Sequence, residues 1–118
     1  MFQLTCAFIV SALTAFAGDI SGTWQVIVET NQGTGSPTLV LQQQGEELTG
    51  RYSSRVLGEA NITGTIKGTA IEFRFDSEVR GQAIKASYKG RIEGPNTMKG
   101  TAIFSGFDLN ATWSAKRE

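Results

Sequence analysis

From Gly22 to the C-terminal residues, apolar and polar side chains alternate with period two, and glycines interrupt the pattern at short intervals. Successive side chains of a β-strand point to opposite faces, so this alternation specifies strands with one buried and one solvated face. Eight strands can be drawn. Trp24, Val26 and Val28 share a face of the first, Leu39 and Leu41 of the second. Leu48, Gly50 and Tyr52 follow in the third, then Ile62, Gly64 and Ile66, then Ile71, Phe73 and Phe75. Ile84, Ala86, Tyr88, Gly90 and Ile92 mark the sixth strand. Met98, Gly100, Ala102 and Phe104 mark the seventh, and Leu109, Ala111, Trp113 and Ala115 the eighth.

Short links with turn chemistry join most of these strands: Gln44 to Glu47, Lys67 to Thr69, Gly94 to Asn96 and Gly106 to Asp108. Only Asn31 to Pro37 and Arg55 to Ala60 read as longer connections, and a β-sandwich usually needs more of these. Consecutive short links imply a meander. Eight such strands bury a single apolar face most simply by closing, which also removes exposed edges. The fold expected is therefore all-β, an eight-stranded antiparallel up-and-down meander β-barrel. Gly50, Gly64, Gly90 and Gly100 fall on the inward register, where a tightly coiled strand must bend.

The first 17 residues are of a different kind. Met1 to Ala17 carries no charge, is largely apolar or small, and ends Ala15-Phe16-Ala17, an A-x-A cleavage pattern. It lacks the usual basic start, yet the rest fits a secretory signal peptide. The division expected is residues 1–17 as signal peptide and 18–118 as one barrel domain, secreted or periplasmic. Leu4-Thr5-Cys6 does not have the small residue that lipidation of Cys6 requires. No apolar run reaches the roughly 18 residues of a spanning helix, so no transmembrane span is expected in the mature chain.

That mature chain would contain no cysteine and no histidine. The commonest general base and metal ligand is thus absent, and no metal or other cofactor is expected. Ser87 and Lys89, a conceivable nucleophile and base, lie on the solvated face. Glu29, Glu72, Asp76 and Glu93 are also outward, and Glu46 and Glu47 sit in a turn. Carboxylates in water keep ordinary pKa values and have no partner with which to divide acid and base roles. An enzyme is not expected. Eleven basic residues balance eleven acidic ones, which gives nucleic acid no field to respond to. The sequons at Asn61 and Asn110 fall within strands and read as chance.

Gly22-Thr23-Trp24 at the start of the first strand resembles the first-strand signature of the calycins, the lipocalin and avidin barrels. In lipocalins that tryptophan packs at the closed end beneath a basic residue from near the C-terminus. The resemblance therefore gives Trp24 a structural role at the barrel end, with Arg117 or Lys116 above it. Leu48 to Ser54 looks more like the avidins, where a tyrosine and a serine at the positions of Tyr52 and Ser54 reach biotin. Val26 replaces the asparagine expected two residues after Trp24, and Trp113 is the only other tryptophan, so biotin binding is not implied. Asp19 to Trp24 is also similar to the opening of short exported bacterial proteins of unknown role.

A barrel can hold one small ligand if its interior is not full. The inward polar or aromatic candidates are Tyr52, Ser54, Tyr88, Trp113, Gln43 and Thr30. The function expected is binding of a small apolar or amphipathic molecule at the barrel mouth. The alternative is a ligand-free envelope module acting by self-association, as a homo-oligomer, or by contact with a partner. Outward Ile27, Val40 and Ile103, with Val56, Leu57 and Phe107 in loops, would serve that role.

Overall fold

In a computed structural model of the chain, the described residues are 19–106 and 109–118. The signal-peptide segment, Cys6 and Phe107 lie outside them. The strands are β1 (Gly22–Thr30), β2 (Gly33–Gly35), β3 (Thr38–Gln44), β4 (Glu47–Ser54) and β5 (Gly58–Lys67). They continue as β6 (Ala70–Val79), β7 (Gln82–Gly94), β8 (Thr97–Ser105) and β9 (Leu109–Arg117). Every pairing is antiparallel, and from β3 onward each strand pairs with the next. The ring closes where β1 meets β9, from Trp24 opposite Arg117 to Glu29 opposite Thr112. Eight long strands therefore form a closed up-and-down barrel, as the alternation predicts.

The ninth strand is a local consequence of the length of β1. Its first half pairs with β3, but Val28 to Thr30 extend further and fold back on Gly33 to Gly35. Ser36-Pro37 separates β2 from β3. A proline has no N–H to give the ladder, yet the Pro37 carbonyl still accepts from the Val26 N–H at 3.0 Å. The segment read from sequence as a long link is thus a split strand. The second expected long link is shorter than it looked, because β5 begins at Gly58.

The inward residues form one core running through the barrel. No polar or charged residue type other than tyrosine and tryptophan contributes to it among the described residues. An aromatic cluster occupies the middle: Phe73 stacks on Tyr88 with centroids 4.7 Å apart, Tyr52 tilts against Phe75 at 4.2 Å, and Trp113 meets Tyr88 edge-on at 5.6 Å. Aromatic pairs in such offset and edge-on arrangements add stability beyond their buried area. The outer face carries cross-strand charge pairs, Arg51 with Glu59, Lys85 with Asp76 and Lys99 with Glu93. All three are solvent-exposed and contribute little individually.

Candidate functional site at the barrel mouth

The two ends of the barrel differ. At one end the chain entering β1 crosses the opening. The Ile20 N–H donates to Gln43 Oε1 at 2.9 Å, and Trp24 Nε1 donates to the Ile20 carbonyl at 2.9 Å. The Arg117 guanidinium lies 4.9 Å from the Trp24 ring centroid and donates to the carbonyls of Ser21, Asp19 and Pro95. Of the two basic residues expected above Trp24, Arg117 takes the place. This end is sealed.

The other end is open. The β1–β2 hairpin and Pro37 form one wall of a cleft of about 760 Å³, and the end of β4 with residues 55–57 forms the other. Its apolar surface comes from Val28, Pro37, Tyr52, Val56, Leu57, Phe104 and Leu109. Thr30, Gln32, Thr34, Ser36 and Ser54 supply polar atoms around it, and Arg55 is its one charged residue among the described lining. The volume lies within the ~300–1,000 Å³ typical of small-molecule sites, and an apolar surface with few polar groups is their usual character.

Local hydrogen bonds give both walls their shape. Thr30 Oγ1 donates to the Gly33 carbonyl and accepts from the Gln32 N–H, each at 3.0 Å, which fixes the hairpin turn. Ser54 Oγ accepts from the Leu57 N–H at 2.8 Å, and Ser77 Oγ donates to the Leu57 carbonyl. This turn, of the kind serine favours, holds Leu57 inward. The sequence grouped Leu57 with Val56 as surface apolar residues. Both line the cleft, but Val56 is 68% exposed at its rim whereas Leu57 is 8% exposed and belongs to the core. A serine three residues before an apolar residue and a glycine is the signal that marks such a turn.

The six inward candidates do not form one constellation. Tyr52, Ser54 and Thr30 are at the mouth. Tyr88 lies beneath Tyr52, and the two hydroxyls are 2.7 Å apart in the buried interior. Trp113 is buried in the aromatic cluster, with Nε1 donating to the carbonyls of Thr101 at 3.0 Å and Lys89 at 3.2 Å. Gln43 is at the sealed end, where its amide brackets Ile20 and Gly45. Sequence reasoning missed Pro37 and the inward role of Leu57. No group of three or more potential metal-ligating side chains occurs among the described residues.

Burial disfavours the phenolate and raises both tyrosine pKa values, that of Tyr52 to about 12 although its hydrogen bond with Tyr88 opposes the shift. Tyr88 is raised further, by burial first and then by Tyr52. The unfolded chain releases these protons near the ordinary value of about 10, whereas the barrel retains them. The contribution of the two tyrosines to stability is therefore level below pH 10 or so and falls as pH rises from there through about 12. The expected slope approaches about 1 kcal/mol per pH unit for each tyrosine. Urea titrations of the wild type and of Tyr52→Phe across this window check it, and equal slopes for the two proteins refute it.

No protein-family model matches the sequence, and no characterised protein matches it at the sequence level. Solved structures do match. A redesigned β-barrel, b11L5F_LGL, superposes with TM-score 0.66 at 15% identity, covering 84% of this chain and 91% of that one. The redesigned barrel mFAP1, bound to DFHBI, gives 0.63 at 19% identity over 83% and 94% of the two chains. A fluorescence-activating β-barrel designed de novo gives 0.62 at 14% identity over 86% and 96%. At such identities the likeness establishes the barrel fold. The calycin-like expectation agrees with it at that coarse level.

Proposed function

We propose that the chain is an exported barrel that binds one small apolar or amphipathic molecule in the mouth cleft. The observation that carries this reading is an open cleft with an apolar surface and a polar rim, at one end of a barrel whose other end is sealed. Removing apolar surface from water there drives binding, while Thr30, Ser36, Ser54 and Arg55 are placed to meet a polar end. Two related folds, mFAP1 and EF1p2_mFAP2b, were solved with the small molecule DFHBI bound, so a barrel of this kind accommodates such a ligand. Export rests on the Met1 to Ala17 pattern.

The reading is one of binding without catalysis and without a cofactor. The outward carboxylates Asp76, Glu59 and Glu93 are spent in exposed charge pairs. Action through the outer surface has weaker support. Val40 stands opposite Thr23, Ile27 opposite Ser114 and Ile103 opposite Asn110, so the register disperses these apolar side chains instead of pairing them. Scattered apolar residues of this kind are ordinary on a surface.

Native mass spectrometry of protein exported and purified without denaturant tests the proposal. The expected result is a chain beginning at Gly18 with a dissociable small-molecule mass. Leu57→Asp, which puts a charge on the cleft wall, is expected to remove that mass. A bare wild-type chain, above all a bare dimer or tetramer, overturns it in favour of the surface.

A further inference from the structure

Four side-chain polar groups are deeply buried in the barrel: the two indole N–H groups and the hydroxyls of Tyr52 and Tyr88. Both indoles donate to backbone carbonyls, Trp24 to Ile20 and Trp113 to Lys89 and Thr101. The tyrosines have only each other. Each hydroxyl carries one proton, and a single O–H···O contact uses one of the two. The pair thus holds a second proton with no acceptor among the described residues. An unmet buried donor is costly, and native interiors rarely leave one without a reason. Tyr52, whose other neighbours here are aromatic rings, also lines the mouth cleft, whereas Tyr88 does not.

We infer that the Tyr52–Tyr88 pair is the hydrogen-bond donor of the mouth cleft, and that the cleft takes an apolar, neutral molecule whose carbonyl oxygen accepts from Tyr52. The inference rests on the cleft being a binding site and names its ligand class. A carboxylate fits poorly at that depth. The interior holds no charged side chain among the described residues, so an anion would lose its hydration and gain one proton contact in return. A phenol is protonated at neutral pH, and burial only moves its titration further up, so the donor is always present. Arg55, the one charge of the described lining, is exposed at the rim, well placed for a polar tail.

Three probes of similar shape separate the alternatives: methyl naphthyl ketone, ethylnaphthalene and naphthoate, titrated by calorimetry into the full chain at neutral pH. The ketone is expected to bind about tenfold more tightly than the hydrocarbon, the scale of one well-made buried hydrogen bond, and more tightly than naphthoate. Tyr52→Phe should bring the ketone down to the level of the hydrocarbon and leave the hydrocarbon unchanged. Tyr88→Phe should preserve the ketone preference, because the Tyr52 proton then has no competing acceptor. A merely structural pair would shift ketone and hydrocarbon alike in both variants. Equal binding of ketone and hydrocarbon to the wild type, or tightest binding of naphthoate, overturns the inference and leaves the cleft intact as an apolar site. Binding of no probe overturns the cleft as well. Should Tyr52→Phe fail to fold, the wild-type ratio and Tyr88→Phe decide the matter.

Discussion

Replacing Gly100 with alanine is expected to unfold the barrel or to cost at least about 3 kcal/mol, beyond the usual range for a one-carbon change in a core. Gly100 pairs with Gly90 on β7 and with Trp113 on β9. A Cβ at Gly100 would stand 1.9 Å from the Lys89 carbonyl oxygen, 2.5 Å from Gly90 Cα and 2.7 Å from the Lys89 carbonyl carbon. All three atoms are backbone, so no rotamer change relieves the clash. The strands themselves would have to separate. They approach this closely because the sheet coils sharply where two glycines face each other. That approach also presents the Lys89 and Thr101 carbonyls to Trp113 Nε1. Separation of β7 from β8 would therefore draw the Lys89 carbonyl away from the indole as well. Urea unfolding followed by tryptophan fluorescence measures the effect. Gly68→Ala is the control: that glycine lies in a turn with nothing within 4 Å of the added carbon, though its φ of +61° makes alanine mildly strained there. A Gly100→Ala protein as stable as that control would show that the strands can part without cost.

The glycine positions illustrate what the sequence makes legible. Period two states which side of the sheet a residue faces, and the inward set from Trp24 to Ala115 follows from it almost completely. It does not state height along the barrel axis. Gln43 and Tyr52 share the inward face of neighbouring strands, so both read as candidates. Yet Gln43 stands opposite Leu48 and Tyr52 opposite Leu39. The four-residue offset is roughly 13 Å of strand and sends them to opposite ends. The contact between Tyr52 and Tyr88, 36 residues apart, depends in the same way on the stagger of the strands between them. Residues outside the period were harder still. Leu57 is in a turn, where facing is set by the Ser54 and Ser77 hydroxyls and not by a pleat. Pro37 breaks the strand it serves, so its neighbours read as loop. The sealed end was legible through the calycin resemblance of Gly22-Thr23-Trp24, which implies a cation from near the C-terminus above the ring and left Arg117 and Lys116 both open.

That sealed end carries the second large effect. Trp24→Ala is expected to cost about 3–5 kcal/mol, the range for truncating a fully buried aromatic. The ring is completely inaccessible to solvent, and its loss leaves a cavity bounded by strands that the closed ladder holds apart. Two further interactions go with it. The Ile20 carbonyl loses the indole donor, and the Arg117 guanidinium loses the ring face beneath it, a contact worth about 0.5–2 kcal/mol depending on desolvation. Arg117 still holds the carbonyls of Asp19, Ser21 and Pro95, so Arg117→Ala alone should cost less than Trp24→Ala. Because ring and guanidinium act on the same strap, the double variant should fall short of the sum of the two single effects by about 0.5 kcal/mol or more. Chemical denaturation of the four proteins gives that cycle directly. Additive losses would mean that the ring and the cation hold this end independently, with no coupling through their contact. The mouth cleft, at the opposite end, should keep its probe affinity in Arg117→Ala, which separates closing one end of the barrel from binding at the other.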